Sequence, residues 1–248
     1  MYSTERVDLI LNYLKLNYRA CIPELTKVLF VSEATVRRDL NEMQALGLIN
    51  RTHGGALYAE ESQEISIFVR KTKSAKEKEL TASVALKVLP DFQTVFIDDS
   101  STCFALAERM NFSHKTIVTN GLRLVSYLAE KNDVRVILLG GELLQNGNAV
   151  SGALAFRNLR DLRMDLMLSS CAAISTQGTF EHSTEVMELK NIAFEQCSQR
   201  LMLVDSNKFN SKATYRTRPV KDYDLVITNA DDDVTEPFKQ SGVKIINE

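Results

Sequence analysis

The sequence lacks the features that mark several large classes of protein. Its four cysteines lie far apart and form no Cys-x-x-Cys pair: Cys21, Cys103, Cys171 and Cys197. Scattered thiols of this kind favour reduced core residues over disulfides or zinc ligands. No apolar run reaches the length of a membrane span, and no cationic segment followed by an apolar one opens the chain. We therefore expect a soluble protein of the cytoplasm.

Signatures of catalysis are also missing. The sequence has no Gly-x-Ser-x-Gly elbow, no Walker loop and no Gly-x-Gly-x-x-Gly dinucleotide loop. Its three histidines, His53, His114 and His182, do not have the spacing of metal ligands. Asp98 and Asp99 are an acid pair, but neighbouring residues of a strand point to opposite faces, which argues against concerted proton transfer. We expect no enzyme, no cofactor and no metal.

An excess of charge of one sign is absent as well. Lys and Arg number 30 against 32 Asp and Glu, and the net charge is −2. Any affinity for DNA must therefore come from the local placement of basic residues. A chain of 248 residues with 44% apolar content is long enough for one small and one larger domain.

The segment from Val31 to Leu40 predicts a capped amphipathic helix. Ser32 is a good N-cap residue, and an apolar residue precedes it. At about 100° per residue, the helix has an apolar face and an outer face. The apolar face holds Val36, Leu40, Met43 and Gly47; the outer face holds Ala34, Arg38, Asn41 and Ala45, flanked by Thr35 and Arg37. A helix that buries one face and offers guanidinium groups on the other suits the major groove of DNA.

The surroundings of this helix predict a winged helix-turn-helix. An amphipathic helix is indicated near the start of the chain, and a second over 23–30 has proline at an early position. Only Val31 and Ser32 separate this second helix from the next, which is the spacing of a helix-turn-helix. Residues 48–58 contain two strand signals around a Gly-Gly turn, a possible wing that sets Arg51 and His53 against phosphate. The alternative is a plain three-helix unit with a hairpin.

Residues Arg6 to Ala56 resemble the N-terminal winged helix of DeoR-type bacterial regulators. The matching pieces are Val31-Ser32, the run from Thr35 to Leu40, and the run from Arg51 to Ala56. The resemblance implies a helix-turn-helix over about 20–39 that binds double-stranded operator DNA. The predicted DNA-binding residues are Ser32, Thr35, Arg37, Arg38, Asn41, Arg51 and His53. One small head reads only a half-site, so a homo-oligomer, dimer or tetramer, is expected.

Beyond the head, apolar runs alternate with helix-like stretches. Strands are predicted at 94–97, 116–119, 134–139, 166–168, 201–204, 225–228 and 243–246, and helices at 74–89, 102–110, 122–130, 184–197 and 235–240. This order indicates a mainly parallel sheet covered on both faces, and hence an α/β, Rossmann-like domain. We therefore predict a DNA-binding head over 1–58, a linker over 59–73, and an effector-binding and oligomerisation domain over 74–248.

Polar residues follow several of these strands. In open parallel sheets, ligands bind outside the carboxyl ends of the strands. Residues 98–102 place three hydroxyl side chains at a helix start, where N–H groups favour an anion, and Lys208 can add a positive charge to the same phosphate. The alternative is that the hydroxyl side chains only cap the helix and that Lys208 is a solvated surface residue. The spacing of the residues alone slightly favours this alternative.

The segment from about Phe68 to Asn229 resembles the DeoR-type effector domain, which is similar in fold to ribose-5-phosphate isomerase and CoA transferases. The family's Asp-x-Gly-(Ser/Thr)-Thr loop falls on Asp98 to Thr102, its Thr-Asn pair on Thr119 and Asn120, and its Asp-x-x-Lys-Phe element on Asp205 to Phe209. The resemblance implies a sugar-phosphate effector. The predicted effector-binding residues are Asp98, Ser100, Ser101, Thr102, Thr119, Asn120, Gly140, Gly141, Gly152 and Lys208.

Three positions depart from the family pattern. Ser100 stands where the loop usually has glycine, and its Cβ narrows the approach to phosphate. The segment 170–173 replaces a Gly-Ala-Asp-Gly-like turn, so an acidic group is missing, and Asn229 replaces an aspartate. Glu188 and Lys190 fit the family helix, but two residues at this spacing do not share a helix face. They therefore have separate roles, or both are simply solvated.

Together these patterns predict a sequence-specific DNA-binding regulator. We expect a repressor of a carbohydrate-metabolism operon that is relieved by a phosphorylated sugar metabolite. Two alternatives stay open. One is a sugar-phosphate isomerase-like enzyme with an appended DNA-binding head, and the other is a DNA-binding regulator that senses no ligand.

Overall fold

The computed structural model describes residues 3–45, 48–58, 74–144 and 149–247. The chain forms two compact units, Met1–Val69 and Arg70–Glu248. The predicted fold class is confirmed: a small winged helix-turn-helix unit and a larger α/β unit with a parallel sheet. The predicted linker, 59–73, lies outside the described residues, and so does Gly47.

The described residues of the small unit form three helices and three short strands. These are α1 (Ser3–Asn17), β1 (Arg19–Cys21), α2 (Ile22–Leu29), α3 (Glu33–Ala45), β2 (Ile49–Thr52) and β3 (Gly55–Tyr58). The predicted hairpin is β2 and β3, which pair antiparallel. Strand β1 also pairs with β3 and was not predicted, because its three residues carry no recognisable alternation. Cys21, at the end of β1, is exposed, so its prediction as a core thiol is wrong.

The core of the small unit comes from apolar residues at helical spacing. Side chains from all three helices and the sheet are buried together: Ile10, Leu14, Leu25, Leu29, Val36, Leu40, Met43 and Ile49. A buried ion pair joins the first and third helices. The guanidinium of Arg6 donates to both carboxylate oxygens of Asp39, at 2.7 and 2.9 Å. Asp39 therefore fixes α3 against α1 while its neighbours Arg37 and Arg38 remain exposed.

Gly55 is required for the close approach of β1 and β3. A Cβ there would lie 2.0 Å from the carbonyl oxygen of Ala20 and 2.7 Å from the Cα of Cys21, both backbone atoms. A Cβ on the preceding residue, Gly54, would meet no heavy atom within 4 Å. A methyl group at Gly55 would therefore clash with backbone atoms, whereas one at Gly54 would not.

We expect Gly55→Ala to lower the free energy of unfolding of the small unit by roughly 1–3 kcal/mol, because the strands must separate to admit the methyl group. Gly54→Ala, the matched control, is expected to change it by no more than about 0.5 kcal/mol. Urea unfolding of the full chain, followed by circular dichroism, measures both. Equal effects of the two substitutions would contradict the strand pairing.

Within the described part of the larger unit, the main sheet has seven strands. The helices of the unit are α4 (Ala75–Val88), α5 (Ser101–Ala107), α6 (Leu122–Leu128), α7 (Ala153–Arg160), α8 (Thr184–Gln196) and α9 (Asp232–Gln240). Its strands are β4 (Thr94–Ile97), β5 (Thr116–Thr119), β6 (Arg135–Leu138), β7 (Glu142–Leu143), β8 (Val150–Ser151), β9 (Met164–Ser169), β10 (Ala173–Ser175), β11 (Gly178–Glu181), β12 (Cys197–Val204), β13 (Tyr215–Arg216), β14 (Leu225–Thr228) and β15 (Ile245–Ile246).

The strand order in the main sheet is β15-β14-β12-β9-β4-β5-β6, and every pairing in it is parallel. Two apolar clusters, one on each face, bury the sheet. A second sheet, β10-β11-β13, is antiparallel, and β7 pairs with β8. The sequence predicts none of the five strands in these small pairings, and it does not predict helix α7. They are short and lack the continuous apolar runs that mark the parallel strands.

Candidate nucleic-acid interface and ligand site

The third helix of the small unit begins with the predicted cap. The Oγ atom of Ser32 accepts a hydrogen bond from the backbone N–H of Thr35 at 3.3 Å. It also lies 3.0 Å from the hydroxyl of Thr35. A side-chain cap of this kind satisfies one of the free N–H groups at a helix start. The cap therefore fixes the end of α3 that carries Ser32 and Thr35.

The two faces of α3 divide as the sequence predicts. Val36, Leu40 and Met43 are buried, and the predicted outer face is exposed. Arg38 is exposed, and among the described residues its guanidinium has no hydrogen bond or ion pair. A guanidinium nitrogen of Arg37 lies 3.4 Å from a carboxylate oxygen of Glu33, but the two side chains are 53% and 58% exposed. An exposed pair of this kind contributes little to stability, so Arg37 can exchange it for another anion.

The hairpin is tied to α3 by two of the predicted DNA-binding residues. The guanidinium of Arg51, on β2, donates to the side-chain oxygen of Asn41 at 2.7 Å. It also donates to the backbone oxygen of Arg37 at 3.3 Å. These bonds set the hairpin at a fixed position beside the exposed face of α3. His53 is exposed at the tip of the hairpin.

In the larger unit, buried polar residues line the carboxyl-terminal edge of the sheet. They follow or end strands β4, β5, β9, β12 and β14: Asp98, Asp99, Ser100, Ser101, Thr102, Thr119, Asn120, Ser169, Ser170, Asp205 and Thr228. The parallel pairing brings these strand ends to one edge. The structure therefore gathers most of the predicted effector-binding residues in one place.

Lys190, from α8, is the centre of this polar cluster. Its ammonium lies 2.6 Å from a carboxylate oxygen of Glu181, 2.7 Å from the backbone oxygen of Ser170 and 3.1 Å from a carboxylate oxygen of Asp98. Since an ammonium has three N–H donors, these acceptors use all of them. Lys190 is only 5% exposed, so the interpretation of this residue as merely solvated is wrong. By contrast, Glu188 is half-buried, and one of its carboxylate oxygens lies 3.2 Å from a guanidinium nitrogen of Arg160.

The charges of this cluster stabilise one another. Burial alone would raise the pKa of Asp98, but the Lys190 charge and hydrogen bonds from Ser100, Ser170 and Ser169 hold it below its ordinary value. Burial raises the pKa of Glu181, and Lys190 only partly opposes that effect. Glu181 and Asp98 in turn raise the pKa of Lys190 well above normal, against the effect of its burial. Lys190 is therefore a cation held between two buried carboxyl groups.

Glu181 is a buried carboxylate of this cluster that the sequence analysis does not identify. The pairing of β10 with β11 sets Ala173 opposite Phe180, and the backbone N–H of Ala172 donates to Phe180. Continuing this register places Ala172 opposite Glu181, on the same face of the strand pair. The segment 170–173 has no acidic side chain, but the neighbouring strand supplies a carboxylate. Only the strand register could reveal this, since the two positions are nine residues apart.

Ser100 is the N-cap residue of helix α5. Its hydroxyl accepts a hydrogen bond from the backbone N–H of Cys103 at 3.1 Å, and its own N–H donates to Asp98 at 3.0 Å. Ser100 therefore caps the helix, as the capping alternative predicts. Thr102 approaches a carboxylate oxygen of Asp205 at 3.5 Å. The hydroxyl of Ser101 has no partner within the part of the chain that the structure describes.

At the same edge, one amide oxygen and one ammonium group have no hydrogen-bond partner among the described residues. The side-chain N–H of Asn120 points to Asp99 at 3.4 Å, while its side-chain oxygen is buried and has no partner among the described residues. Lys208, on the short 3-10 helix Ser206–Asn210, is half-buried, and its ammonium has no described ion pair or hydrogen bond. Burial raises the pKa of Cys171 to about 12, and the charges of Lys190 and Lys208 oppose this rise. Lys208 therefore lies close to the cluster.

Asn229 has hydrogen-bond partners, and the predicted glycines have backbone conformations that other residues rarely adopt. The side-chain oxygen of Asn229 accepts from the hydroxyl of Thr81 at 3.0 Å and from the N–H of Ser206 at 2.9 Å. Gly140, Gly141 and Gly152 have φ values of +70°, +117° and +90°, which side chains rarely adopt. A Cβ on Gly141 would lie 2.3 Å from the backbone oxygen of Ser151. These glycines therefore shape the turns around β7 and β8.

Some features are absent from the described ranges. No helix there is long and apolar enough to cross a membrane. The same ranges contain no group of three or more histidine, cysteine or acidic side chains placed to hold a metal ion.

Both units of the chain match domains of known proteins. Residues 6–62 match the DeoR-like helix-turn-helix domain, and residues 73–230 match the DeoR C terminal sensor domain. The glycerol-3-phosphate regulon repressor of Escherichia coli K12 is 31% identical over 93% of this chain and 92% of its own length. The repressor GlcR of Bacillus subtilis is 30% identical over 92% and 89%. The L-fucose operon activator of Haemophilus influenzae is 32% identical over 82% and 83%.

Among solved structures, ribose 5 phosphate isomerase A from Neisseria gonorrhoeae aligns with 54% of this chain and 53% of its own, at 15% identity and a TM-score of 0.38. The family assignment rests on the two domain matches and on the relatives that cover nearly the whole chain. Both predicted halves of the resemblance are thereby confirmed. The chain belongs to the DeoR family of transcriptional regulators.

Proposed function

We propose that the protein represses a carbohydrate-metabolism operon and that a phosphorylated sugar metabolite relieves the repression. The observation that carries the proposal is the exposed arginine face of α3 on a helix whose other face is buried. Membership of the DeoR family supports DNA binding, and the names of the relatives connect such regulators with glycerol 3-phosphate and fucose genes.

The residues of the small unit take distinct roles in this proposal. Arg38 projects from the centre of the outer face and reads a base edge, because a guanidinium can donate two hydrogen bonds to guanine. Arg37, Ser32 and Thr35 contact backbone phosphates beside it. Arg51 holds Asn41 and sets the hairpin, whose tip presents His53 to the DNA backbone. A head of this size reads one half-site, so the regulator acts as a dimer or tetramer.

The effector site is proposed at the polar edge of the larger sheet. Lys208 is the cation available to a phosphate, because the three donors of Lys190 are already used. The hydroxyls of Ser101 and Thr102 lie at the same edge. The buried side-chain oxygen of Asn120 can accept a hydrogen bond from a sugar hydroxyl, which would satisfy an otherwise costly buried acceptor.

Two observations weigh against the alternatives. An isomerase needs a carboxylate free to take a proton, but Asp98 binds Lys190, Ser169 and the N–H of Ser170. A regulator that senses nothing would have no use for the buried side-chain oxygen of Asn120, which has no partner among the described residues. Since DNA binding requires access to the chromosome, the proposed function places the protein in the bacterial cytoplasm.

Thermal unfolding with a panel of phosphates tests the effector site. We expect one sugar phosphate at 100 times its dissociation constant to stabilise the protein by about 2.7 kcal/mol, and the matching free sugar to have no effect. Lys208→Ala should abolish the stabilisation, whereas Lys212→Ala, at an exposed lysine nearby, should preserve it. The same phosphate should release the wild-type protein from a DNA duplex that it selects from a random pool.

Stabilisation of Lys208→Ala equal to that of the wild type would contradict the proposed site. Turnover of the sugar phosphate would favour the enzyme instead. No response to any phosphate would favour a regulator whose larger unit serves assembly alone.

A further inference from the structure

Ser74, at the start of α4, adopts a conformation that its local sequence does not favour. It is the N-cap residue, with φ 59° and ψ 38°, and its side chain makes no cap hydrogen bond. Yet Ser74 is followed three residues later by Glu77, the pattern of a capping box, which requires an extended N-cap residue. The left-handed region is unfavourable for a residue with a Cβ. The residue therefore gives up a cap and accepts backbone strain.

The hydroxyl of Ser74 is used by another element. The side-chain N–H of Asn207 donates to it at 2.9 Å. Asn207 precedes Lys208 on the short 3-10 helix Ser206–Asn210, which carries the cation of the proposed effector site. The helix that would bind the effector is thus bonded directly to the residue at which α4 begins.

A second connection joins the same 3-10 helix to α4. Asn229 accepts from Ser206 at 2.9 Å and from Thr81 at 3.0 Å, so the same 3-10 helix is tied to the middle of α4. This connection is partly buried, while the bond between Asn207 and Ser74 is exposed. The exposed bond is therefore the easier of the two to break.

We propose that Ser74 is a two-state switch that couples the effector site to the DNA-binding head. In the resting state Asn207 holds Ser74 in the left-handed conformation, and the protein binds DNA. When an anion engages Lys208, the 3-10 helix turns about its connection to Asn229, and Asn207 releases Ser74. Ser74 then becomes extended and caps α4. The inference rests on the effector site proposed above.

The consequence for the head follows from backbone geometry. A change of φ from +59° to an extended value redirects the chain that enters α4. In the sequence, that chain comes from the small unit. The change between the two states of Ser74 exchanges the hydrogen bond from Asn207 for a helix cap and for relief of backbone strain. An effector that prefers one state therefore shifts the population.

Three full-length variants test the switch on a duplex selected by the wild type. Asn207→Ala removes the resting bond and should bind the duplex about fivefold more weakly without ligand. Ser74→Gly removes the cap and the left-handed strain, so it should bind phosphate normally but release the duplex about fivefold less. Asn210→Ala, an exposed asparagine on the same 3-10 helix, is the matched control and should behave as wild type.

Hydrogen exchange gives a readout that needs no ligand. Once Ser74 caps the helix, the amides of Lys76 and Glu77 should exchange about fivefold more slowly in Asn207→Ala than in the wild type. Glucose 6-phosphate, glycerol 3-phosphate and inorganic phosphate are the probes for the liganded state. Each should slow the same amides in the wild type if it occupies the site.

The outcomes separate the switch from the effector site. If Asn207→Ala matches Asn210→Ala in both duplex affinity and exchange, the switch is wrong, whatever the wild type does with phosphates. If no phosphate stabilises the wild type but Asn207→Ala shows both changes, the connection from Ser74 to the DNA-binding head stands, whereas the effector site and its connection to Ser74 fail.

Discussion

Replacing Lys190 by alanine is expected to lower the free energy of unfolding of the larger unit by about 3–5 kcal/mol, the largest effect of any single substitution considered. Lys190 is buried between Asp98 and Glu181, and its removal leaves two buried carboxyl groups without a cation. Burying an unpaired charge is costly because the protein interior solvates it poorly. Chemical unfolding monitored by circular dichroism measures the loss.

The pH dependence of this variant should identify the cause. Without Lys190, the folded-state pKa of both carboxyl groups rises above the unfolded values of about 4. A carboxyl group with a raised pKa destabilises the fold as the pH rises through that range and takes up a proton below it. The difference between Lys190→Ala and wild type should therefore be largest near neutral pH and shrink toward pH 5.

A double substitution serves as the control. Adding Glu181→Gln to Lys190→Ala removes one of the two stranded charges and should recover part of the loss, so the effects will not add. Lys221→Ala, at an exposed lysine of the same unit, should change stability by no more than about 0.5 kcal/mol. A loss for Lys190→Ala that is the same at every pH would mean that packing, not charge, stabilises the cluster.

The second large effect is expected at the DNA interface. Arg38→Ala should weaken binding to the selected duplex by about 1–3 kcal/mol if the side chain reads a base, and the loss should fall mainly on one position of the half-site. Arg37→Ala should weaken binding more evenly across sequences and reduce the salt dependence by about one phosphate contact. The difference follows from the roles proposed for the two side chains.

Fluorescence anisotropy with the selected duplex and a scrambled duplex, at two salt concentrations, measures both variants. Arg157→Ala, an exposed arginine on α7 of the other unit, controls for the loss of one positive charge. Equal loss on the two duplexes for Arg38→Ala would assign Arg38 to a phosphate and not to a base.

The sequence predicts β4, β5 and β14 with the bounds that they have in the structure, and it predicts the two faces of α3. These elements have strong local signals: continuous apolar runs between polar residues, and apolar spacing after a good cap. The edge of the parallel sheet follows from them, because parallel strands bring their carboxyl ends together. This is why most predicted effector-site residues lie in one cluster.

The parts that could not be predicted depend on contacts between distant positions. Lys190 looks like a surface residue in the sequence, and only the approach of Asp98 and of Glu181 from β11 explains its burial. Likewise, Ser74 has the local sequence of an ordinary cap, but its hydroxyl accepts a hydrogen bond from Asn207, which is distant in the sequence. Such positions depart from local rules because partners far along the chain outweigh local propensity.

Photocrosslinking from the outer face of α3 tests the central claim most directly. A photoreactive diazirine residue at Ala34, which is exposed on the same face as Arg38, leaves both arginines in place. With the selected duplex bound, we predict crosslinks to bases within one half-site, and none from the same residue placed at Leu154 of the larger unit. Binding of the duplex without any crosslink from position 34 would contradict the assignment of α3 as the helix that reads DNA.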